Sequence, residues 1–499
     1  MADLTFYEYF AATAERYPRE TALEVAGESL SYADLAAHAA SLAEQLQKAA
    51  GTQPPRRVGL LASRSVTAYA GYLAALRLGA TVVPLDPDLP AQRVRIIAAE
   101  TEPDVILSDG TAAEVPPAPA HVDAGPGAAA EGGATTALAD AQPALPDDVA
   151  YIMFTSGTTG MPKGVPILHR NISALLEHIV PRFDLGPGRR VSQASDLAFD
   201  SSVWDLCAAW GSGAALVVPG RSELARPARF IARERITHWF SVPSLINFAD
   251  RLHDLTPGRM PELRWSVFAG DLLTLDQARK WQAAAPGSAL VNAYGPTETT
   301  VVCAEYPLAR DPAHWPETPN GSVPFGAIYP HHDFLIRDGE LCIRGPQRFP
   351  GYLRPEHNAG RFVHPDGTVY EAQEAPGPEL YYRTGDRVSP AGPTDPALIH
   401  LGRLDHQVKI NGHRIELAEV ETALRALPGI AQAVVLARPG AYQELALQAY
   451  YTGRPQDPVA LRAALSDLPR YMVPRGFIHL DALPLNPNGK VDRHALAER

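Results

Sequence analysis

Residues 154–164, FTSGTTGMPKG, bring glycines, hydroxyls and one lysine together. Glycines let a backbone approach an anion closely, and successive amides form an anion-binding nest. Lys163 adds a point charge. The spacing is not that of a GxxxxGK[ST] loop, because Pro162 precedes Lys163 and Gly164 follows it, so a Walker-type ATPase is excluded. Four further stretches follow in order. NAYGPTETT (292–300) holds an amide, an aromatic ring suited to stacking on a base, and Glu298, suited to an oxygen-seeking cation such as Mg²⁺. YYRTGDR contains Asp386, a carboxylate able to accept both hydroxyls of a ribose. GRLDHQVKINGHRIE comes next, and LPLNPNGKVDRHAL carries Lys490. Any one of these reads as an ordinary loop, whereas all five together point to nucleotide chemistry.

A chain of 499 residues is too long for one ordinary core and implies two or three domains. A net charge of −12 argues against a general binder of nucleic acid or acidic membranes. Three dispersed cysteines, with no CxxC, exclude a zinc ribbon and argue against a disulfide framework. His331 and His332 in YPHHDF read as a solvated turn rather than a metal pair. The first twenty residues lack an apolar h-region and no apolar run reaches membrane-spanning length, so a cytoplasmic enzyme is expected.

Elements to position the motifs are legible. Leu35, Ala39, Leu42 and Leu46 fall at helical spacing, with Ser31 and Asp34 placed to begin a capping box. RVGLLA and TVVPLD read as buried strands around the helical AYAGYLAALRLG, and YIMF, ALVVP and WSVFAG recur between helical stretches. This alternation predicts an α/β fold with largely parallel sheets. Residues 110–148, rich in Ala, Pro and Gly, predict a surface excursion. Near residue 402 the pattern changes to a compact α+β tail, LAEVETALRAL and AQAVVLARP among it.

The ordered set resembles the adenylate-forming enzymes, specifically the amino-acid adenylation domains of nonribosomal peptide synthesis. The resemblance runs from LSYADL through LRLGATVVPLDPDLP, the glycine-rich loop, FDSSVWDL, NAYGPTETT, GELCIRGPQRFPGYL and YYRTGDR to Lys490. It leaves only 110–148 unmatched. It implies a large N-terminal domain (1–404) of mostly parallel sheets packed by helices, with a β-barrel-like part, and a small mobile α+β domain (405–499) hinged at Asp405. In that family the loop holds the β- and γ-phosphates of ATP, here through Thr155, Ser156, Gly157, Thr158, Thr159, Gly160 and Lys163. Asn292, Ala293, Tyr294, Gly295, Pro296 and Thr297 would contact adenine and the α-phosphate, with Tyr294 against the base. Glu298 would hold Mg²⁺, and Asp386 and Arg403 would meet the ribose. Lys490 would bridge the substrate carboxylate and the α-phosphate. The small domain would then rotate so that the phosphopantetheine thiol of a carrier protein attacks the adenylate.

By the same match, Asp200 pairs with the α-ammonium of an amino acid, the competing reading being a helix cap. Ser201, Trp204, Ser241, Val267, Ala269, Ala293, Val301 and Val302 would line the side-chain pocket. None is charged, so a neutral hydrophobic substrate is implied, aromatic first, or alanine-sized if Trp204 closes the pocket. Nine residues follow Lys490, so the carrier is expected to be a separate protein. Two rivals remain. An acyl- or aryl-CoA ligase would not need Asp200, and a non-catalytic nucleotide or amino-acid sensor would be expected to lose Lys490, Asp386 or Glu298.

Overall fold

A computed structural model describes residues 4–127, 144–157, 161–372, 374–392, 396–405, 407–440, 445–484 and 491–497. Helix Tyr32–Ala50 begins where Ser31 and Asp34 form a reciprocal capping box, and it buries Leu35, Ala39, Leu42 and Leu46. Local chemistry therefore fixes both its start and its inward face. Strands Arg57–Leu61 and Thr81–Pro84 flank helix Val66–Arg77, nearly all of which is buried.

Two sheets dominate. One has nine strands; its six central strands, Thr21–Val25, Ala215–Val217, Arg190–Ser192, His238–Ser241, Trp265–Phe268 and Ala289–Tyr294, are all parallel. The other has six strands and is parallel except at its end, where Val149–Thr155 pairs antiparallel with Lys163–Leu168. The glycine-rich loop joins those last two strands, in register Thr155 to Lys163. A largely shared apolar core lies between these sheets and their helices. A third, antiparallel sheet of residues 333–403 packs alongside, its longest strand being Tyr381–Pro390. Past it comes the hairpin Gln407–Ile410/His413–Glu416, then a three-stranded sheet with helices Leu417–Arg425 and Pro458–Ala464. This last part has an apolar cluster of its own, from Ile410 to Met472.

Two expectations need correction. Residues 110–148 are not wholly an excursion, because Ala120–Asp123 adds a parallel edge strand beside Val105–Ser108. Its four residues hold only one branched apolar side chain, Val122, too little to register as a strand; positions 128–143 lie outside the described residues. His332 is buried rather than solvated: it packs against Gly345, where a Cβ would lie 2.7 Å from its ring, and burial lowers its pKa to about 4.

Backbone fit is tightest where Ala304–Pro307 meets Ala327–Ile328. Gly326 has φ +90°, and a Cβ there would lie 1.7 Å from the Glu305 carbonyl oxygen. Gly326→Ala should lower the melting temperature by about 5 °C or more, as expected for a strained backbone in a large domain. Differential scanning calorimetry checks this.

Candidate active site

The motif residues meet at the carboxyl ends of the parallel strands, where open α/β sheets place their ligands. Asn292, Ala293 and Tyr294 end Ala289–Tyr294, Val267 and Ala269 lie at the end of Trp265–Phe268, and Ser241 ends His238–Ser241. Asp200, Ser201 and Trp204 sit at the start of helix Ser201–Trp210.

A cavity of about 420 Å³ opens there, lined by Gly270, Asn292 to Gly295, Phe325, His400, Arg403 and Lys409. Asn292 donates its side-chain amide to the carbonyls of Val323 and Pro324 (3.1 and 3.0 Å), which fixes Phe325 against Tyr294 at a ring separation of 4.3 Å. The Tyr294 hydroxyl donates to Asp386 Oδ2 at 2.6 Å. Arg403 Nη1 meets Asp386 Oδ1 at 2.8 Å, with His400 Nε2 at 3.1 Å. Burial works against the Asp386 carboxylate, but Arg403 and His400 outweigh it and hold the pKa far below the usual range. Arg403 also makes two bonds, of 2.7 and 2.9 Å, to Asp405, the expected hinge.

Glu298 is fully buried on the short turn Thr297–Thr299. Arg414 Nη1 contacts both its oxygens (3.0 and 3.1 Å) and the Tyr352 hydroxyl donates to one of them at 2.7 Å. Burial raises its pKa, but Arg414 and Tyr352 bring it below the ordinary value. An ionised carboxylate is a suitable Mg²⁺ donor; in this arrangement Arg414 occupies it.

Ser156 also faces the hairpin. Its hydroxyl donates to the Arg414 carbonyl (2.8 Å) and accepts from the Glu416 amide (3.1 Å). Lys163 is buried beside Tyr352, with Nζ 5.7 Å from the ring centre. Burial, then Arg361, pushes its pKa down to about 8. Thr158, Thr159 and Gly160 lie outside the described residues, as does Lys490.

The carboxylate of Asp200 makes no bond to cap its helix. Burial raises its pKa, opposed by a Thr297 hydroxyl bond and then by the charge of Lys409. Trp204 is buried, stacked on Phe240 at 4.8 Å and edge-on to Phe183, in one cluster with Val267, Ala269, Ala293, Val301 and Val302. Ser201 Oγ donates to Ser195 Oγ (2.7 Å), and Ser241 Oγ accepts from the Trp239 indole (2.8 Å). These two serines line a second cavity, of about 390 Å³, whose other wall includes Asn411, Gly412 and His413.

Sequence reasoning missed Tyr352, His400, Arg414 and Gln347. Thr300 and Val301 have φ of +57° and +71°, a rare conformation for a β-branched residue. The Gln347 amide holds this turn, with bonds of 3.2 Å to the Thr300 carbonyl and 2.8 Å to that of Val302, while the Thr300 hydroxyl donates to the Gln347 carbonyl at 2.7 Å. All four residues sit inside or beside motif stretches, but nothing local marks their distant partners.

A family model described as AMP-binding enzyme matches residues 10–353, and one described as AMP-binding enzyme C-terminal domain matches 419–490. Phosphinothricin tripeptide synthetase PhsC of Streptomyces viridochromogenes is 37% identical over 521 residues, 99% of this chain. Tyrocidine synthase 1 of Brevibacillus parabrevis is 32% identical over 527 residues, also 99% of the chain. The chain spans 45% of the length of each of these relatives. Among solved structures, IdnL7 is 37% identical at TM-score 0.70, covering 99% of this chain and 98% of its own. The Vibrio cholerae adenylation domain AlmE, in complex with glycyl-adenosine-5′-phosphate, is 27% identical at TM-score 0.83, covering 99% and 97%. PA1221, a protein containing adenylation and PCP domains, is 26% identical at 0.80, covering 99% and 84%. The chain belongs to the AMP-binding enzyme family of ATP-dependent, adenylate-forming ligases, as an adenylation domain of the nonribosomal peptide synthetase type.

Proposed function

We propose that the protein activates a small, neutral α-amino acid as its aminoacyl-AMP and then passes it to the pantetheine thiol of a carrier protein. Asp200 carries this reading: its carboxylate makes no side-chain cap bond to its helix, none of the other residues matched to the side-chain pocket is charged, and an α-ammonium would supply the cation that such a carboxylate calls for. Fatty-acyl and aryl substrates have no such group. The packing of Trp204 favours an alanine-sized side chain over an aromatic one, because the indole is stacked into the cluster that would form the pocket floor.

In the first half-reaction a substrate carboxylate oxygen bonds to the α-phosphorus and pyrophosphate leaves with the electron pair of the broken bond. Asp386 and Arg403 would hold the ribose and Tyr294 the base. Ser156, Gly157 and Lys163 would hold the leaving phosphates, together with Thr155 and the loop residues Thr158, Thr159 and Gly160. Lys490 would screen two anions as they meet, which is electrostatic transition-state stabilisation. Mg²⁺, held by Glu298, would neutralise phosphate charge.

Arg414 on Glu298 and the hairpin on Ser156 suit the second half-reaction instead. There the thiol sulfur bonds to the acyl carbon, the bond to the phosphate oxygen breaks, AMP leaves with the electron pair, and the thiol proton goes to solvent. The cavity beside Ser201 and Ser241 adjoins another of about 290 Å³, which shares Asp196, Phe199, Arg221 and His413 and reaches Arg470. Together they offer a path for a pantetheine arm. PA1221, which joins adenylation to a PCP domain, supports a carrier as the partner.

Amino-acid-dependent ATP–pyrophosphate exchange tests this reading. Alanine or a similarly small amino acid should give the strongest signal, and Asp200→Ala and Lys490→Ala should each lose about 100-fold or more, the scale of a lost transition-state donor. Turnover only with acids lacking an α-amine would overturn the reading in favour of a CoA ligase. Lys163 supplies a second measurement. Its ammonium must be charged to hold phosphate, and its pKa lies at about 8, so the KM for ATP should rise as pH climbs through that value. Lys163→Arg should flatten the rise, because guanidinium stays charged.

A further inference from the structure

Arg93 and Glu419 meet across the two parts of the molecule. Arg93 lies in the first turn of helix Ala91–Thr101, which packs on the six-stranded sheet; Glu419 lies in the first turn of helix Leu417–Arg425, in the part with its own core. Arg93 Nη1 and Glu419 Oε1 are 2.6 Å apart, with side chains 9% and 3% exposed. Among the described residues the Arg93 side chain has no other hydrogen-bond partner. Burial raises the Glu419 carboxyl; Arg93, then the amide of Gly157 in the phosphate loop, oppose it.

The pair joins two parts of the molecule, unlike an ion pair inside one core. If the hairpin leaves Ser156 and Glu298, as the proposed activation step requires, and carries helix Leu417–Arg425 with it, the contact between Arg93 and Glu419 is broken. A buried pair adds little net stability against apolar residues of the same volume, but removing one member strands a desolvated charge. That cost falls only on the docked arrangement.

We propose that Arg93 and Glu419 are positioning residues of the transfer half-reaction, forming an ion pair that exists only when the hairpin is docked and that sets the fraction of molecules in that arrangement. The proposal rests on the two-step reading above. Neither residue touches the nucleotide or the amino acid. Their influence passes through the equilibrium between arrangements, and the transfer rate scales with the docked fraction.

The test compares the two half-reactions in the full chain: ATP–pyrophosphate exchange for activation, and formation of aminoacyl-pantetheine from free pantetheine for transfer. Arg93→Ala and Glu419→Ala should each slow transfer at least tenfold and leave exchange within threefold of wild type, which also reports that the variants fold. The exchanged pair, Arg93→Glu with Glu419→Arg, and the apolar pair, Arg93→Met with Glu419→Leu, should each recover most of the lost transfer. Transfer unchanged in the single variants, exchange falling in parallel with transfer, or no recovery in either pair would overturn the proposal. Failure of the adenylation reading would look different: the wild-type protein itself would be silent in exchange.

Discussion

Buried carboxylates need cations, and that constraint organises this molecule. Asp386, Glu298 and Asp200 all lie where the parallel strands end. Asp386 has its answer in cis, since Arg403 and His400 come from the neighbouring antiparallel strand. Glu298 is answered by Arg414, from the hairpin beyond Asp405. Asp200 has a hydroxyl bond from Thr297, a backbone amide bond from Ser201 and the more distant charge of Lys409. The three differ in who supplies the compensating charge: the same sheet, the part proposed to move, and, in the proposed function, the substrate. The proposed ribose site, the proposed exchange of partners at Glu298 and the proposed recognition role of Asp200 would then follow from one electrostatic rule applied three times.

Strain gathers at the same place. The turn through Thr300 and Val301 is held left-handed by Gln347, and it comes directly after the turn that carries Glu298. It also leaves no room at Gly295, where a Cβ would lie 2.6 Å from the Val301 carbonyl oxygen. Such backbone persists only when its surroundings over-determine it. Here it turns Val301 and Val302 into the cluster around Trp204 while Glu298 faces Tyr352, so one short segment reaches both the proposed side-chain pocket and the proposed phosphate site.

Legibility in the sequence tracks the range of each interaction. Ser31 and Asp34 announce helix Tyr32–Ala50 because capping acts over three residues. The alternation of short apolar runs and helical spacing discloses the parallel sheets for the same reason. Strand Ala120–Asp123 stays hidden because its pairing with Val105–Ser108, rather than its composition, makes it a strand. His332 reads wrongly because its burial comes from Gly345, thirteen residues along a chain that doubles back. In the site, residues with distinctive chemistry are legible from their order. The arginine that takes Glu298 is not, since Arg414 lies 116 positions further along the chain and nothing between carries a local sign of the contact.

The hairpin and the small three-stranded sheet beyond it keep a hydrophobic cluster of their own and meet the rest of the molecule through ions, hydroxyls and backbone amides as well as through Phe199 on His413 and Val242 on Gly412. Apolar interfaces demand detailed shape agreement, whereas polar ones demand that a handful of charges find their opposites. If the domain boundary at Asp405 holds, the C-terminal part would be a unit of recombination. A relative's version could be grafted after Asp405 without repacking a shared core, and its compatibility would turn on a short electrostatic password, Arg93 with Glu419 and Glu298 with Arg414, rather than on overall similarity.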